Sequence, residues 1–247
     1  MALKLHGVPL SQPFRSVAWA CVMKRLRVEV QVAVPGSPAK MGSRSDSYLK
    51  LSPAGKVPVL EDGDFALAES PAILEYLAMK HGWSELYPAE PAERASLSAL
   101  MHWHHTNTRQ MSAFLAVKLR PDLLQSMGAD ALDRQKAKGL KALELLENSF
   151  LASSPFLGRR SEPSIADLLV YEDVGPLGSR FTGLVDISQY PKVDAWCMRM
   201  EGLHGYDAVH ASVVELGDIS QKSVDPRALG KATKVGLKAL HEAQVDA

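Results

Sequence analysis

The stretch "VPVLEDGDFALAESPAIL", residues 57–74, decides the fold. Two short apolar runs, Val57–Leu60 and Phe65–Leu67, flank Glu61-Asp62-Gly63-Asp64. Asp-Gly between such runs is a strong hairpin signal, because the central residues of the tight turn need a positive φ that glycine adopts without steric cost. Ser70 then offers an N-cap and Pro71 a first helical position, so a helix is predicted over Ser70–Lys80. The stretch therefore reads strand, turn, strand, helix.

Working outward towards the N-terminus, "VEVQVAV" (28–34) alternates in β-branched residues and reads as a strand. A shorter strand is expected at Leu3–Leu5, with a helix over Pro13–Lys24 between the two, which makes them a parallel pair. "PGSPAKMGSRSDSYLKL" (35–51) reads as a loop followed by a short helix. The resulting order, βαβαββα with a parallel pair first and a hairpin last, predicts a thioredoxin-like α/β domain over residues 1–81.

Beyond it, "HGWSELYPAEPAE" (81–93) holds glycine, two prolines and polar residues, and contains a linker at 82–91. Residues 92–247 read as an all-helical domain, with helical stretches at Arg94–Lys118, Ala129–Leu151, Ser164–Leu177 and Val193–Met200. "SIAD" (164–167) is a capping-box variant with Asp in place of the commoner Glu. A last helix over 226–243 is amphipathic, with Leu229, Thr233, Gly236 or Leu237, and Leu240 on one face.

Composition narrows the function classes. The 247 residues carry 28 basic and 28 acidic side chains, so nothing favours a nucleic-acid partner. No run approaches the roughly 20 apolar residues that span a bilayer, and the start lacks a secretory pattern, which predicts a soluble cytoplasmic protein. Cys21 and Cys197 fit neither a disulfide framework nor a zinc spacing.

Four stretches carry candidate chemistry. In "LSQPFR" (10–15), Ser11 stands where a strand meets a helix N-terminus, a place where backbone N–H groups and the helix dipole stabilise an anion. Two readings are open for it: a plain helix cap, or a hydroxyl that donates to a thiolate from elsewhere. In "GKVPVL" (55–60), the residues alone favour an ordinary trans Pro58, whereas a cis bond would turn the Val57 backbone outward to pair with a peptide. In "LAESPAIL" (67–74), Glu69 and the helix start at Ser70 suit the ammonium and carboxylate of an amino acid, or form a cap beside a solvated acid. In "HWHHTNTR" (102–109), no histidine pair has metal spacing, so no metal is expected; His105 and Arg109 share a helical face and suit the polar wall of a pocket or a dimer contact.

Five pieces in order, "LSQPFR", "YLKLSPAGKVPVLEDGD", "ALAESPAILEYLA", "HWHHTNTR" and "SIADL", give a sequence that resembles the cytosolic glutathione transferases, above all the serine-using theta class, with the phi class second. The resemblance implies a homodimer that uses glutathione as co-substrate, with no other cofactor, and conjugates its thiolate to small hydrophobic electrophiles, possible peroxidase activity included. The helical domain would supply the electrophile pocket, lined by His105 and Arg109, and the last helix would lie over the cleft. It further implies that Ser11 holds the thiolate, that Val57 before a cis Pro58 pairs with the cysteinyl unit, and that Glu69 and Ser70 hold the γ-glutamyl end. Where related sequences often have His-Lys this chain has Ser43-Arg44; Arg44, with Lys56, would take the glycyl carboxylate. The alternative is a non-catalytic ligand carrier or protein-interaction module on the same fold.

Overall fold

The computed structural model describes residues 3–119 and 129–245. It divides into two compact units, one of residues 1–83, 203–215 and 231–247, the other of 84–202 and 216–230.

The first unit is built on a four-stranded sheet in the order β2-β1-β3-β4, with β1 at Leu3–Gly7, β2 at Val28–Val32, β3 at Val59–Asp62 and β4 at Phe65–Ala68. β1 runs parallel to β2, Leu5 opposite Val30, and antiparallel to β3, Leu5 opposite Leu60. β3 and β4 form the expected hairpin, Asp62 opposite Phe65, with Gly63 at φ 63° in the turn. Helices α1 (Gln12–Met23), α2 (Asp46–Leu51) and α3 (Ser70–His81) complete the βαβαββα order of a thioredoxin-like domain.

Helix α1 is buried on almost every side, from Phe14 to Val22. A helix buried all round must be covered all round. Here the second cover comes from late in the chain: Trp19 Nε1 donates to His204 O at 3.1 Å, and its ring stands edge-on to Tyr206 and His210. The sheet's unit thus includes residues 203–215 and 231–247, which the sequence reading places in the helical domain. The N-cap of helix α3 lies one residue earlier than that reading has it. Glu69, at φ 72° and ψ 113°, is the N-cap, and Ser70 is already helical.

The second unit is helical. Helices α4 (Pro91–Thr106), α5 (Ser112–Leu119), α6 (Ala129–Leu145), α7 (Ile165–Val174) and α8 (Pro191–Glu201) lie in it, while α9 (Tyr206–Leu216) belongs mostly to the first unit and α10 (Pro226–Val245) runs across the division. The single helix expected over Arg94–Lys118 is two. It breaks at Asn107 (φ −122°, ψ −91°), whose side-chain amide donates to Trp103 O at 2.9 Å and so competes with the backbone ladder. Helix α6 likewise ends in one wide turn at Leu146–Phe150, and α7 gives way to a 3₁₀ turn where Pro176 supplies no N–H. Every residue of α7 is buried, which makes it the centre of this unit. Among the described residues no helix is long and apolar enough to cross a membrane.

Candidate active site

The register of the sheet gathers three of the candidate stretches at one end. His6 pairs with Val59, which pairs with Ala68, so the chain leaving β1, the chain entering β3 and the chain leaving β4 share an edge. Ser11, Val57-Pro58 and Glu69-Ser70 all follow or precede those strands by a few residues.

From β1 the chain makes a tight turn, Ser11 N–H donating to Val8 O at 2.9 Å, and enters α1, where Arg15 N–H donates to Ser11 O at 3.0 Å. Ser11 is half-buried, in extended conformation (φ −80°, ψ 119°), at the N-cap position. Its hydroxyl makes no cap hydrogen bond. An N-cap serine stabilises a helix by accepting a bond from the first turn; this one occupies the position without doing so, and its hydroxyl points the question towards a ligand.

The second stretch is a clasped loop. The Val57–Pro58 bond is cis, contrary to what those residues alone favour, and Val57 lies just outside the β3 ladder, which begins at Val59. Three hydroxyls hold the loop ahead of it. Ser43 Oγ donates to Gly55 O at 2.8 Å and accepts from Gly36 N–H at 2.9 Å; Tyr48 Oη donates to Lys56 O at 2.7 Å; Ser52 Oγ accepts from Lys56 N–H at 3.3 Å. Ser43 is fully buried, and its one proton is committed to the loop. Arg44 and Lys56 are exposed, Arg44 beside Gly55 in space and Lys56 next to it in the chain. Gly55 sits at φ 60°, and a Cβ there would lie 2.8 Å from Ser43 O and from Arg44 Cδ, so only glycine lets the loop close under the arginine. Tyr48 is a residue that sequence reasoning passes over. Its ring reads as core, and only the contact of its hydroxyl, eight residues on, reveals a second duty.

The third stretch pairs an exposed Glu69 with a buried Ser70 at the start of a twelve-residue helix. A positive φ at a non-glycine residue costs about 1–3 kcal/mol and persists where surroundings or function demand it. At Glu69 it places a carboxylate immediately before the N–H groups that open α3.

The fourth stretch is rearranged relative to expectation. The break at Asn107 takes Arg109 off the helix that bears His105, so the two do not share a helical face; His105 is exposed. Arg109 shares a partner with His104, the carboxylate of Asp173. His104 Nε2 lies 2.7 Å from Asp173 Oδ2, and Arg109 Nη1 lies 2.9 Å from Asp173 Oδ1, both carboxylate oxygens being buried. Burial alone would raise the Asp173 carboxyl, yet His104 and Arg109 beside it hold it below the usual range. A group held low contributes stability that is complete above its unfolded value of ~3.9 and is lost as pH falls through the lower folded value. We therefore expect the melting temperature to drop below about pH 4. Asp173→Asn should lower it at neutral pH and flatten that acid slope, which a melting series across pH measures.

Neither cysteine offers a nucleophile. Both are fully buried; burial pushes the Cys21 thiol up to about 12 and raises Cys197 as well. Among the described residues no group of three or more His, Cys, Asp or Glu side chains is arranged to hold a metal ion.

Against known proteins, the family described as "Glutathione S-transferase, N-terminal domain" matches residues 5–89. Glutathione S-transferase theta-1 of Bos taurus is 31% identical over 88% of this chain and 91% of its own length. Glutathione S-transferase T1 of Arabidopsis thaliana is 29% identical over 97% of this chain and 99% of its own. Among solved structures, human glutathione transferase theta-2 in complex with glutathione and an unknown ligand superposes with a TM-score of 0.76 at 25% identity, covering 98% of this chain and 100% of that one. The apo form of human glutathione S-transferase T1-1 gives 0.74 at 27% identity, over 97% and 100%. A likeness that runs through most of both chains, on a thioredoxin-like sheet with a serine at the opening of its first helix, makes this chain a member of the glutathione S-transferase family, theta-like in kind.

Proposed function

We propose that the chain conjugates glutathione to small apolar electrophiles by holding the tripeptide's thiolate against the Ser11 hydroxyl. The observation that carries this reading is that hydroxyl itself, at the end of β1 and the opening of α1, with no cap bond of its own. The magnitudes are adequate. A free thiol ionises near ~8.5, and lowering that by about two units needs roughly 2.7 kcal/mol. One hydrogen bond to a charged group supplies about 1.5–3 kcal/mol, and a helix end about 0.3–1 kcal/mol more.

The other stretches fit the rest of the tripeptide. The Val57 backbone, outside its ladder, pairs with the cysteinyl unit; Glu69 takes the γ-glutamyl ammonium, and Ser70 with the first turn of α3 its carboxylate. Arg44 and Lys56, the exposed cations beside Gly55, take the glycyl carboxylate, while Ser43 holds the loop between them. The thiol proton leaves to solvent. The sulfur then bonds to an electrophilic carbon as a halide departs or an epoxide C–O bond opens. With an organic hydroperoxide, two glutathiones give the alcohol, water and glutathione disulfide. A cytoplasmic homodimer completes the proposal.

Calorimetric titration with glutathione, followed by a panel of halides, epoxides and hydroperoxides, tests it. Binding with turnover is expected. Binding without turnover points to a ligand carrier, and no binding to an interaction module. Tyr48→Phe should raise KM for glutathione about fivefold, the equivalent of one lost hydrogen bond of about 1 kcal/mol, and leave KM for the electrophile unchanged.

A further inference from the structure

Two residues before Ser11, Pro9 is gripped both by Arg15, six positions on, and by Ser212, 203 positions on. Its carbonyl accepts a hydrogen bond from Arg15 Nη1 at 3.1 Å and another from Ser212 Oγ, on α9, at 3.0 Å. Both donors are buried, Arg15 at 1% exposure and Ser212 at none. Against both Pro9 and Ser212 stands α10, at Gly236. A Cβ at that position would lie 2.6 Å from Pro9 Cβ and 2.8 Å from Ser212 Cβ, closer than side chains tolerate. Glycine within a helix is unfavourable relative to alanine, so its placement here goes with a backbone-to-proline approach that no other residue permits.

The grip reaches Ser11 through a short, stiff path. Pro9 has its φ fixed by its ring, and the turn from Val8 to Ser11 is closed by the Ser11 N–H bond to Val8 O at 2.9 Å. Helix α10 is itself tied down on this unit, by Lys231 to Glu215 of α9 at 2.5 Å and by Gln244 Oε1, which accepts from Val28 N–H of β2 at 3.1 Å. Its buried stripe is Ala232, Gly236 and Leu240, small at the point of contact.

We propose that Ser212 and Gly236 are positioning residues for the reaction: the two late helices set the direction of the Ser11 hydroxyl by fixing Pro9. This rests on the reading of Ser11 as the thiolate's partner, and it gives the C-terminal helix a task at the nucleophile, distinct from covering a cleft.

The experiment compares wild type, Ser11→Ala, Ser212→Ala, Gly236→Ala and Gly230→Ala in the full chain, with glutathione and one alkyl halide. The control is well matched, because a Cβ at Gly230, on the same helix, would meet no described atom within 4 Å. Ser212→Ala and Gly236→Ala should each raise the apparent pKa of the bound thiol, read from the pH dependence of kcat/KM, and lower kcat at neutral pH about three- to tenfold. KM for glutathione should change less than about twofold, since the Val57 and Glu69-Ser70 contacts are untouched. Gly230→Ala should keep the wild-type profile. Should Gly236→Ala fail to fold, Ser212→Ala carries the test. Wild-type pH profiles in Ser212→Ala and in any folded Gly236→Ala, beside a shifted profile in Ser11→Ala, overturn the clamp and leave the role of Ser11 standing. An unshifted profile in Ser11→Ala removes both.

Discussion

Ser11→Ala is expected to cut kcat/KM about four- to fortyfold at neutral pH while leaving the melting temperature nearly where it is. The two halves of that expectation come from the same hydroxyl. In activity, removing a hydrogen bond to a thiolate forfeits about 1.5–3 kcal/mol, which raises the thiol's pKa by about one to two units. Turnover then falls in proportion to the lost thiolate at neutral pH and recovers in alkali, where the thiol ionises unaided. In stability, a capping serine replaced by alanine costs typically ~1 kcal/mol, but the Ser11 side chain makes no cap bond, so the loss should stay within about 0.5 kcal/mol. A pH-rate profile and a thermal melt on one preparation separate the two readings that the sequence leaves open. A stability loss with an unmoved profile makes Ser11 a cap; a moved profile with unmoved stability makes it the thiolate's partner. Ser11→Thr, which keeps the hydroxyl, should restore much of the profile.

What the sequence discloses here is what is local. Strand alternation at Val28–Val34, the Asp62-Gly63 turn and the apolar run of α1 each depend on neighbours within a few residues, and each appears in the structure at nearly the predicted place. So do the positions of Ser11, Val57 and Glu69, because the strand register that gathers them follows from the order of elements. What it conceals is what depends on distant partners. His104 and Asp173 are 69 positions apart, and no periodicity links them; the helix pattern instead brings His105 onto the face of Arg109, because it has no means of weighing the Asn107 side chain against the backbone ladder. Ser43 enters the sequence reading only through the resemblance, as the residue in place of the usual His, and nothing local discloses that its hydroxyl bonds Gly55 O and Gly36 N–H. The late helices are the plainest case. That α1 is mostly apolar is visible in its composition, but nothing local says that it is covered on a second side or that residues 203–215 provide the cover.

The other large effect lies away from the chemistry, at Asp167. This residue was legible in the sequence as the third residue of a capping box, worth about 1 kcal/mol by itself. The structure gives it more to do. Fully buried, its carboxylate accepts from Ser164 N–H at 2.9 Å, as the box requires, and also from Ser164 Oγ at 2.7 Å, Leu157 N–H at 2.8 Å and Trp196 Nε1 at 2.9 Å. Burial pushes this carboxyl upward, and the four donors pull against it. They come from the loop before α7, from α7's own start and from α8, so a single side chain joins three segments of the helical unit. Asp167→Ala leaves donors from all three without an acceptor in a site closed to water, each at about 1–3 kcal/mol before relaxation. The summed loss should reach about 4–5 kcal/mol and lower the melting temperature by about 10–15 °C. Asp167→Asn keeps the shape but turns one acceptor into a donor facing other donors, so it should fall between wild type and Ala. Trp196 reports the change directly, because its indole N–H loses a charged partner and its fluorescence should shift in the folded Asn variant. A wild-type melting temperature in Asp167→Ala would show that water replaces the carboxylate without penalty, and that the four bonds do not hold the unit together.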